Sequence, residues 1–297
     1  MIKFKAKNAA GEIVNSALSP FTFPAGEAHT KREERRNLEA VEIAVITPSA
    51  NSIHDDLFQL AMWVNYIEEF KYETGREIRV IVLLPYFPGA RADRGTPFGL
   101  HVYAEFLRRL MVDEIVVFDP HSDALFEQLL PQYSQPALIG YNASDLFSLP
   151  HVRSQLPEYT AVIAPDKGAV RRATSVANVL GVPVFEAEKI RDFETGKISS
   201  VTLKNFTGAT DKDQFLVVDD ICDGGGTFAA LAEHSGIPKD QIDLYVSHGV
   251  FSGAAAQVLP KHYRNIYTTN SYIDNGMLWG VKRFDVIRPM LNLIDFK

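Results

Sequence analysis

The sequence has a single cysteine, Cys222, among 297 residues. This excludes an intramolecular disulfide framework and any zinc site built from several cysteines. No apolar run approaches the roughly 20 residues that span a bilayer. The first residues, MIKFKAKNAAGEIV, also lack the apolar core of a signal peptide. These absences predict a cytoplasmic protein with no membrane partner.

Positively charged residues are also fewer than negatively charged ones. Thirty lysines and arginines stand against 37 aspartates and glutamates, which gives a formal net charge of −7. An acidic protein repels phosphate backbones, so the balance argues against a nucleic-acid partner. Local basic clusters can still hold a small phosphorylated ligand.

Short apolar runs alternate with amphipathic stretches along the whole chain. Runs rich in β-branched and aromatic residues suit strands buried on both faces, and the intervening stretches repeat apolar residues at helical spacing. This alternation predicts an α/β fold of two doubly wound, parallel-sheet domains. The predicted strands are 42–47, 78–84, 114–118, 161–164, 215–218, 244–247 and 265–268, and the clearest predicted helices are 55–70 and 98–111.

The alternation occurs once before about residue 145 and once after it. We therefore predict an N-terminal α/β domain, 1–145, and a C-terminal α/β domain, 146–284. Residues 142–156 are interpreted as the connection between them. The last stretch, 286–296, has a helical pattern, and we expect 285–297 to pack back on the N-terminal domain.

Four polar clusters follow predicted strands directly, where parallel sheets bind their ligands. They are FPGARADR, DPHSD, PDKG and DDICDGGGT. In the last, a buried strand leads to Asp219 and Asp220, then to three glycines, Thr227 and a helix. Glycines let backbone N–H groups approach a phosphate, and a helix N-terminus favours an anion. A turn shaped by glycines and capped by acids is the simpler alternative, which a lone GGGT would favour. The paired carboxylates favour a site for a ribose phosphate.

This motif resembles the signature shared by type I phosphoribosyltransferases and ribose-phosphate pyrophosphokinases. Five further segments resemble the pyrophosphokinases in order and spacing over nearly the whole chain. They are FPAGE, YFPGARADR, DPHS, APDKGAVRRA and HGVFSGA. Simple phosphoribosyltransferases lack the first half, so the resemblance is specific to the pyrophosphokinases, also called PRPP synthetases, and their close relatives.

The resemblance implies a fold of the type I phosphoribosyltransferase kind, with an ATP side in the first domain and a ribose-phosphate side in the second. It implies Mg²⁺ as the cofactor, with His121 and Asp166 as its ligands. The implied ATP-binding residues are Phe23, Glu27, Arg91, Asp93, Arg94 and His121. The implied ribose-phosphate residues are Asp219, Asp220, Asp223, Gly224, Gly225, Gly226 and Thr227. The implied catalytic residues are Lys189, Arg191 and Arg91, the first two on a flexible loop, EKIRDFETG.

The reaction implied is transfer of the β,γ-pyrophosphate of ATP to the C1 hydroxyl of ribose 5-phosphate, which yields PRPP and AMP for nucleotide biosynthesis. Family members are usually homo-oligomers, built from dimers assembled into hexamers. Cys222 lies inside the predicted phosphate loop, and we interpret it as a small core residue rather than a reactive thiol.

Three positions depart from the family pattern: Ala25 replaces an aspartate, Ala92 a glutamine and Gly224 a threonine. The first two weaken the match for ATP recognition. Glycine at 224 removes a hydroxyl and bulk beside the 5-phosphate, which would accommodate an esterified phosphate. Some phage-encoded relatives use ADP-ribose as acceptor and make ADP-ribose pyrophosphate for rebuilding NAD⁺, so this acceptor remains an alternative. A positive backbone φ at 224 would also account for the glycine.

Two other classes of protein remain open, a phosphoribosyltransferase and an inactive regulatory homologue, and a third class is disfavoured. A phosphoribosyltransferase would share DDICDGGGT but not the motifs of the first half. An inactive regulatory homologue would be expected to lose His121, Asp166 or the Lys189–Arg191 pair, and all are present. A nicotinamide-dependent dehydrogenase is disfavoured, since no predicted strand is followed by G-x-G-x-x-G.

Overall fold

The computed structural model describes residues 1–33, 37–49, 52–129, 136–191, 198–273 and 280–294, with the backbone alone at 189–191 and 198–199. The chain divides into two compact units. The first comprises Met1–Tyr141 together with Ile287–Lys297, and the second comprises Asn142–Val286.

Strands and helices alternate through both units. The strands are β1 (Ile2–Lys7), β2 (Ile13–Asn15), β3 (Leu18–Thr22), β4 (Ala28–Arg32), β5 (Val41–Ile46), β6 (Arg79–Leu84), β7 (Glu114–Phe118), β8 (Ala137–Tyr141), β9 (Ala161–Ala164), β10 (Val184–Arg191), β11 (Ile198–Leu203), β12 (Phe215–Cys222), β13 (Ile242–Gly249), β14 (Ile266–Thr269) and β15 (Lys282–Phe284). The helices are α1 (Ile53–Thr74), α2 (Gly99–Arg109), α3 (Ala124–Leu129), α4 (Ala143–Phe147), α5 (Pro150–Arg153), α6 (Val170–Leu180), α7 (Gly226–His234), α8 (Ala255–His262) and α9 (Ile287–Leu293). Two short 3₁₀ turns, Lys167–Ala169 and Lys239–Gln241, complete the elements of the described part.

The sheet of the first unit has the strand order β2-β1-β5-β6-β7-β8. Strands β5 to β8 are parallel, whereas β1 is antiparallel to both β2 and β5. Helix α1 buries one apolar face against this sheet, and the Trp63 ring stacks on Phe4 with centroids 5.1 Å apart. Strands β3 and β4 form a separate antiparallel hairpin.

The sheet of the second unit has the order β11-β10-β9-β12-β13-β14-β15. Only the β10–β11 pair is antiparallel. From β9 the chain moves outward to β10 in one direction, and from β12 it moves outward to β13 in the other. The boundary between β9 and β12 is therefore a topological switch point, where α/β sheets leave a crevice beyond the carboxyl ends of their strands.

The predicted α/β class with parallel-dominated sheets is confirmed. Four details of the predicted elements differ from the structure. Antiparallel strands border both sheets, and β1 to β4 were not predicted. Strand β12 continues through Asp219 and Asp220 to Cys222 instead of ending before them. The stretch 142–156, interpreted as a connection, contains helices α4 and α5. The backbone of 188–191, interpreted as a mobile loop, is paired with β11.

No helix in the described ranges is long and apolar enough to cross a membrane.

Glu42 is the most deeply buried of the acidic residues that the structure describes in the first unit. Glu42 on β5 is fully buried, and its Oε1 accepts a hydrogen bond from the Glu39 N–H at 3.0 Å. Its other oxygen, Oε2, is buried with no hydrogen-bond partner among the described residues. Desolvation by burial raises the pKa of Glu42 from 4.5 to about 7. The folded carboxyl thus binds its proton more tightly than the unfolded one does.

Glu42 makes the first unit less stable as the pH rises from about 4.5 to about 7, because folding then opposes ionisation. The full ionisation penalty is roughly 3 kcal/mol. We expect Glu42→Gln to raise the free energy of unfolding at pH 8 by about 1–2 kcal/mol, since the buried amide recovers only part of the penalty. Urea unfolding at pH 5 and pH 8, followed by tryptophan fluorescence, measures this difference.

The matched control is Glu73→Gln, which removes an exposed carboxylate from the same unit. It should leave the pH dependence of unfolding unchanged. The assignment is wrong if Glu42→Gln and the wild type lose the same stability between pH 5 and pH 8.

Candidate active site

The two carboxylates of Asp219 and Asp220 lie at the switch point. Strand β12 pairs with β9 only as far as Val217, whereas its pairing with β13 continues to Cys222. The edge of β12 that faces β9 is therefore no longer paired at the two aspartates. Consecutive strand residues normally point to opposite faces, yet both carboxylates lie 3.6 Å from Nη1 of one residue, Arg172 on α6.

Burial and mutual repulsion dominate the electrostatics of this pair. Desolvation, followed by the charge of Asp220, raises the pKa of Asp219 to about 8, and Arg172 partly opposes this rise. The Asp219 Oδ1 also accepts a hydrogen bond from the Asp220 N–H at 2.9 Å. Two adjacent carboxyl groups that resist double ionisation favour a ligand that donates hydrogen bonds, such as a vicinal diol, or one that brings positive charge.

Arg172 is a site residue that the sequence analysis did not single out. It lies in the quoted segment APDKGAVRRA, but its spacing from Asp166 gives no sign that it approaches the paired acids. That approach requires α6 to pack against β12 after β9 and β12 become neighbours in the sheet. Sequence-distant contacts of this kind carry no local periodic signal.

The glycine-rich loop follows Cys222 directly and leads into α7. Gly225 has φ +76°, in the left-handed region, and a Cβ there would lie 3.1 Å from Leu259. Gly224 has no such φ, and a Cβ there would meet nothing within 4 Å. Gly225 is therefore required by the backbone and by packing, whereas Gly224 is not. Helix α7 begins at Gly226, followed by Thr227, so its first N–H groups are available for an anion.

Asp166 lies immediately after β9, in the second of the predicted metal loops. It is the N-cap of the 3₁₀ turn Lys167–Ala169, and its Oδ1 accepts a hydrogen bond from the Ala169 N–H at 3.2 Å. Its side chain is half-buried. The carboxylate is therefore held by the backbone at the carboxyl end of a strand that borders the switch point.

In the first unit, the loop after β6 carries Arg91, Asp93 and Arg94. Arg94 is highly exposed, and its Nε lies 3.4 Å from Oδ1 of the partly buried Asp93 carboxylate. Arg91 is also exposed. Two cationic side chains at the carboxyl end of a strand suit a polyphosphate, and their exposure leaves them able to reach it.

The loop after β7 contains His121. Asp119, its first residue, is buried and has a positive φ of 40°, which is rare for a residue other than glycine. The Asp119 N–H donates to the Tyr141 carbonyl at 2.7 Å. The Ser122 hydroxyl is buried with no hydrogen-bond partner in the described part of the chain. Strained backbone and an unsatisfied hydroxyl beside a half-exposed histidine are features of ligand sites.

Phe23 and Glu27 flank the turn that joins β3 and β4. The Phe23 N–H donates to the Glu27 carbonyl at 2.9 Å. The Phe23 ring packs edge-on against Phe21, with centroids 4.7 Å apart, and against His29 at 5.4 Å, yet 43% of Phe23 is exposed. A flat, exposed aromatic surface fits stacking by a nucleobase.

Lys189 and Arg191 lie on β10, opposite Val201 and Ile198 of β11. Their side chains, and residues 192–197, lie outside the described part of the chain. The catalytic roles of this pair and the assignment of the other site residues stay predictions.

The donor set fits Mg²⁺. The described residues contain no group of three or more His, Cys, Asp and Glu side chains able to hold a metal ion. Magnesium commonly uses only one or two protein ligands, because it keeps several waters and binds substrate phosphates. His121 and Asp166 supply a ring nitrogen and a carboxylate, each half-exposed at the end of a strand.

The chain is similar in sequence and in fold to known proteins. The family model of the phosphoribosyl transferase domain matches residues 153–278. A ribose-phosphate pyrophosphokinase of Pyrococcus furiosus is 27% identical over 301 residues, covering 97% of this chain and 98% of the relative. One from Cereibacter sphaeroides is 26% identical and covers 86% of this chain and 74% of the relative. The crystal structure of phosphoribosylpyrophosphate synthetase from Mycobacterium smegmatis superposes with a TM-score of 0.75 at 22% identity, covering 94% of this chain and 89% of that chain.

The matched domain and the structural neighbour show a phosphoribosyltransferase-like fold. Along nearly its whole length the chain is similar in sequence to enzymes named ribose-phosphate pyrophosphokinases. The resemblance identified from the sequence motifs is thereby confirmed.

Cys222, the last residue of β12, is fully buried in the core of the second unit. Desolvation, followed by the charges of Asp223 and Asp219, raises its pKa to about 12. Both the thiolate fraction and the access of a reagent are therefore low, in agreement with its interpretation as a core residue.

We expect the native protein to react with the thiol reagent DTNB at pH 8 at least about a thousandfold more slowly than the urea-unfolded chain, because the pKa rise alone removes about that much thiolate. Absorbance at 412 nm measures the rate, and the single cysteine makes the signal unambiguous. Rapid native labelling would show that Cys222 is accessible and contradict the assignment.

Proposed function

We propose that the chain is a Mg²⁺-dependent diphosphokinase that transfers the β,γ-pyrophosphate of ATP to the C1 hydroxyl of ribose 5-phosphate, with PRPP and AMP as products. The observation that carries this proposal is the arrangement at the end of β12. Two adjacent carboxylates, the partly buried Asp219 and the buried Asp220, are followed by an open glycine-rich loop and a helix N-terminus. Vicinal hydroxyls beside a 5-phosphate complement that arrangement.

In the proposed reaction the C1 oxygen of the sugar attacks the β-phosphorus of ATP, and the bond between that phosphorus and the bridging oxygen of AMP breaks. AMP leaves with the bonding electrons, and the C1 hydroxyl proton passes to solvent. Asp219 and Asp220 hold the ribose hydroxyls, while Asp223 through Thr227 hold the 5-phosphate. Because such transition states are loose, catalysis depends mainly on positioning and charge, and no side chain is required as a strong general base.

Cations offset the charge that develops during transfer. Arg91, Lys189 and Arg191 are proposed for this role, with Arg94 on the ATP phosphates and Asp93 orienting the arginines. Phe23 and Glu27 are proposed to contact the adenine. Bound Mg²⁺, held by His121 and Asp166, would neutralise and orient the transferred phosphates. Removing the metal with EDTA should therefore abolish activity.

A second acceptor is favoured by Gly224. Its backbone is not in the left-handed region and the space around it is open, so the backbone does not demand glycine there. An esterified phosphate has fewer terminal oxygens than a free one, and its attached group needs an exit. ADP-ribose meets both conditions, and the product would then be ADP-ribose pyrophosphate.

The reaction is tested by incubating the protein with ATP and Mg²⁺, offering ribose 5-phosphate and ADP-ribose separately, and identifying products by mass. We expect AMP and a pyrophosphorylated acceptor without any nucleobase. Asp220→Asn keeps the shape of the side chain but removes its charge, so it should lower kcat/KM for the acceptor by about one to two decades.

Asp240→Asn is the matched control, since it changes an exposed aspartate in the same unit. It should leave acceptor use unchanged. Product that forms only when a base and PRPP are supplied would identify a phosphoribosyltransferase instead. A loss of thermal stability in Asp220→Asn with intact kcat/KM would make the acid pair structural.

The acceptor choice is tested by Gly224→Thr, which the open space and the backbone conformation permit. A hydroxyl contributes a hydrogen bond worth roughly 1.5–3 kcal/mol to a charged phosphate. We expect the ratio of kcat/KM for ribose 5-phosphate over ADP-ribose to rise at least about tenfold.

Gly224→Val serves as the comparison, because valine has nearly the shape of threonine but no hydroxyl. It should lower ADP-ribose use without improving ribose 5-phosphate use. An unchanged acceptor ratio in a well-folded Gly224→Thr protein would remove Gly224 as a determinant of specificity.

A further inference from the structure

The segment Gly249–Gly253, which we call the supporting loop, lies against the start of the glycine-rich loop. The backbone N–H groups of Val250 and Phe251 both donate to the Cys222 carbonyl at 3.0 Å. The Ser252 N–H donates to the Asp223 carbonyl at 3.1 Å, and the Ser252 hydroxyl donates to the Asp223 carboxylate. Cys222 and Asp223, just before Gly224, thus accept four hydrogen bonds from Val250, Phe251 and Ser252.

The supporting loop is itself held by the core. The Phe251 ring is buried, although the residue has a positive φ of 47°. A Cβ on Gly249 would overlap this ring and would lie 2.7 Å from Thr268 Oγ1. Gly249 therefore makes room for the Phe251 ring, and burial of the ring offsets the unfavourable backbone conformation. The position of Ser252 is set by this packing.

The glycine-rich loop needs such an anchor. Glycine loses more conformational freedom on ordering than any other residue, and three occur in a row after Asp223. An anion site made of backbone N–H groups binds well only if those groups are already oriented, since ordering them on binding subtracts from affinity. On the other side the loop is ordered by α7, where the Ala229 N–H donates to the Gly225 carbonyl.

We propose that Ser252 is a positioning residue for the acceptor-phosphate site, which it preorganises by fixing Asp223 at the entry of the glycine-rich loop. This inference rests on the proposed function of that loop. Ser252 acts through Asp223 rather than through the reacting atoms. Its removal should therefore weaken acceptor binding in the ground state and the transition state alike, and so raise KM without lowering kcat.

The test is Ser252→Ala, compared with Ser252→Thr, which keeps the hydroxyl. We expect the alanine variant to raise KM for ribose 5-phosphate about tenfold, with kcat and KM for ATP changed less than about twofold. The threonine variant should restore the wild-type KM. If the alanine variant keeps the wild-type KM, or the threonine variant behaves like the alanine variant, the proposal is overturned.

Ser154→Ala is the matched control. It removes an equally exposed hydroxyl from the same unit, one that donates to the His151 carbonyl, and it should change neither KM. Thermal unfolding of each variant separates positioning from stability: equal melting temperatures with a raised KM support the proposal. A lower melting temperature with an unchanged KM would make Ser252 merely structural.

Titration calorimetry with ribose 5-phosphate, and separately with ADP-ribose, distinguishes this inference from the proposed reaction. Acceptor binding that depends on Ser252, without formation of AMP, would overturn the reaction but support the positioning role. An active wild type with Ser252-independent binding would overturn the positioning role alone. Failure of the wild type to bind either acceptor would overturn both.

Discussion

In the second unit, β12 loses its pairing with β9 after Val217 while remaining paired with β13 to its end. The rest of the site depends on this divergence. It lets Asp219 and Asp220 lie at an open strand edge, it leaves room for Arg172 from α6, and it directs the chain into the glycine-rich loop. Strands β9 and β12 diverge where the connections run outward in opposite directions, so the crevice is a property of the sheet order rather than of the loops.

The charges at this edge are arranged at a cost to stability. Desolvation and the adjacent Asp220 carboxyl raise the pKa of Asp219, and the nearby Arg172 only partly compensates. In the first unit, Asp119 adopts a left-handed backbone next to His121, and the Ser122 hydroxyl remains unsatisfied among the described residues. The carboxyl pair and the unsatisfied hydroxyl are unfavourable in the absence of a ligand and become favourable if a ligand supplies the missing hydrogen bond or charge. Within its own unit, each feature lies at or beyond the carboxyl end of a parallel strand, where open α/β sheets bind ligands.

The glycines around the site have different physical roles. Gly225 has a left-handed backbone and close contact with Leu259, and Gly249 makes room for the Phe251 ring. Substitution at either position would disturb the fold. Gly224 has neither constraint, so the residue type at this position can vary with the ligand. Among the three consecutive glycines, Gly225 is therefore required by the structure, whereas the residue type at position 224 can depend on the ligand.

Residue patterns alone predicted the α/β class, the approximate course of the central strands, the motifs at their ends and the resemblance to the pyrophosphokinases. Buried parallel strands and glycine-rich turns leave local patterns of composition, which explains that success. Strand β1 was missed even though Ile2, Phe4 and Ala6 alternate with lysines, a pattern typical of a half-exposed strand. Three contacts became visible only in the folded chain: Arg172 approaches both aspartates, Ser252 binds Asp223, and 188–191 pair with β11. The first two contacts join residues far apart in the sequence, and all three depend on the order and register of strands, which local periodicity does not encode.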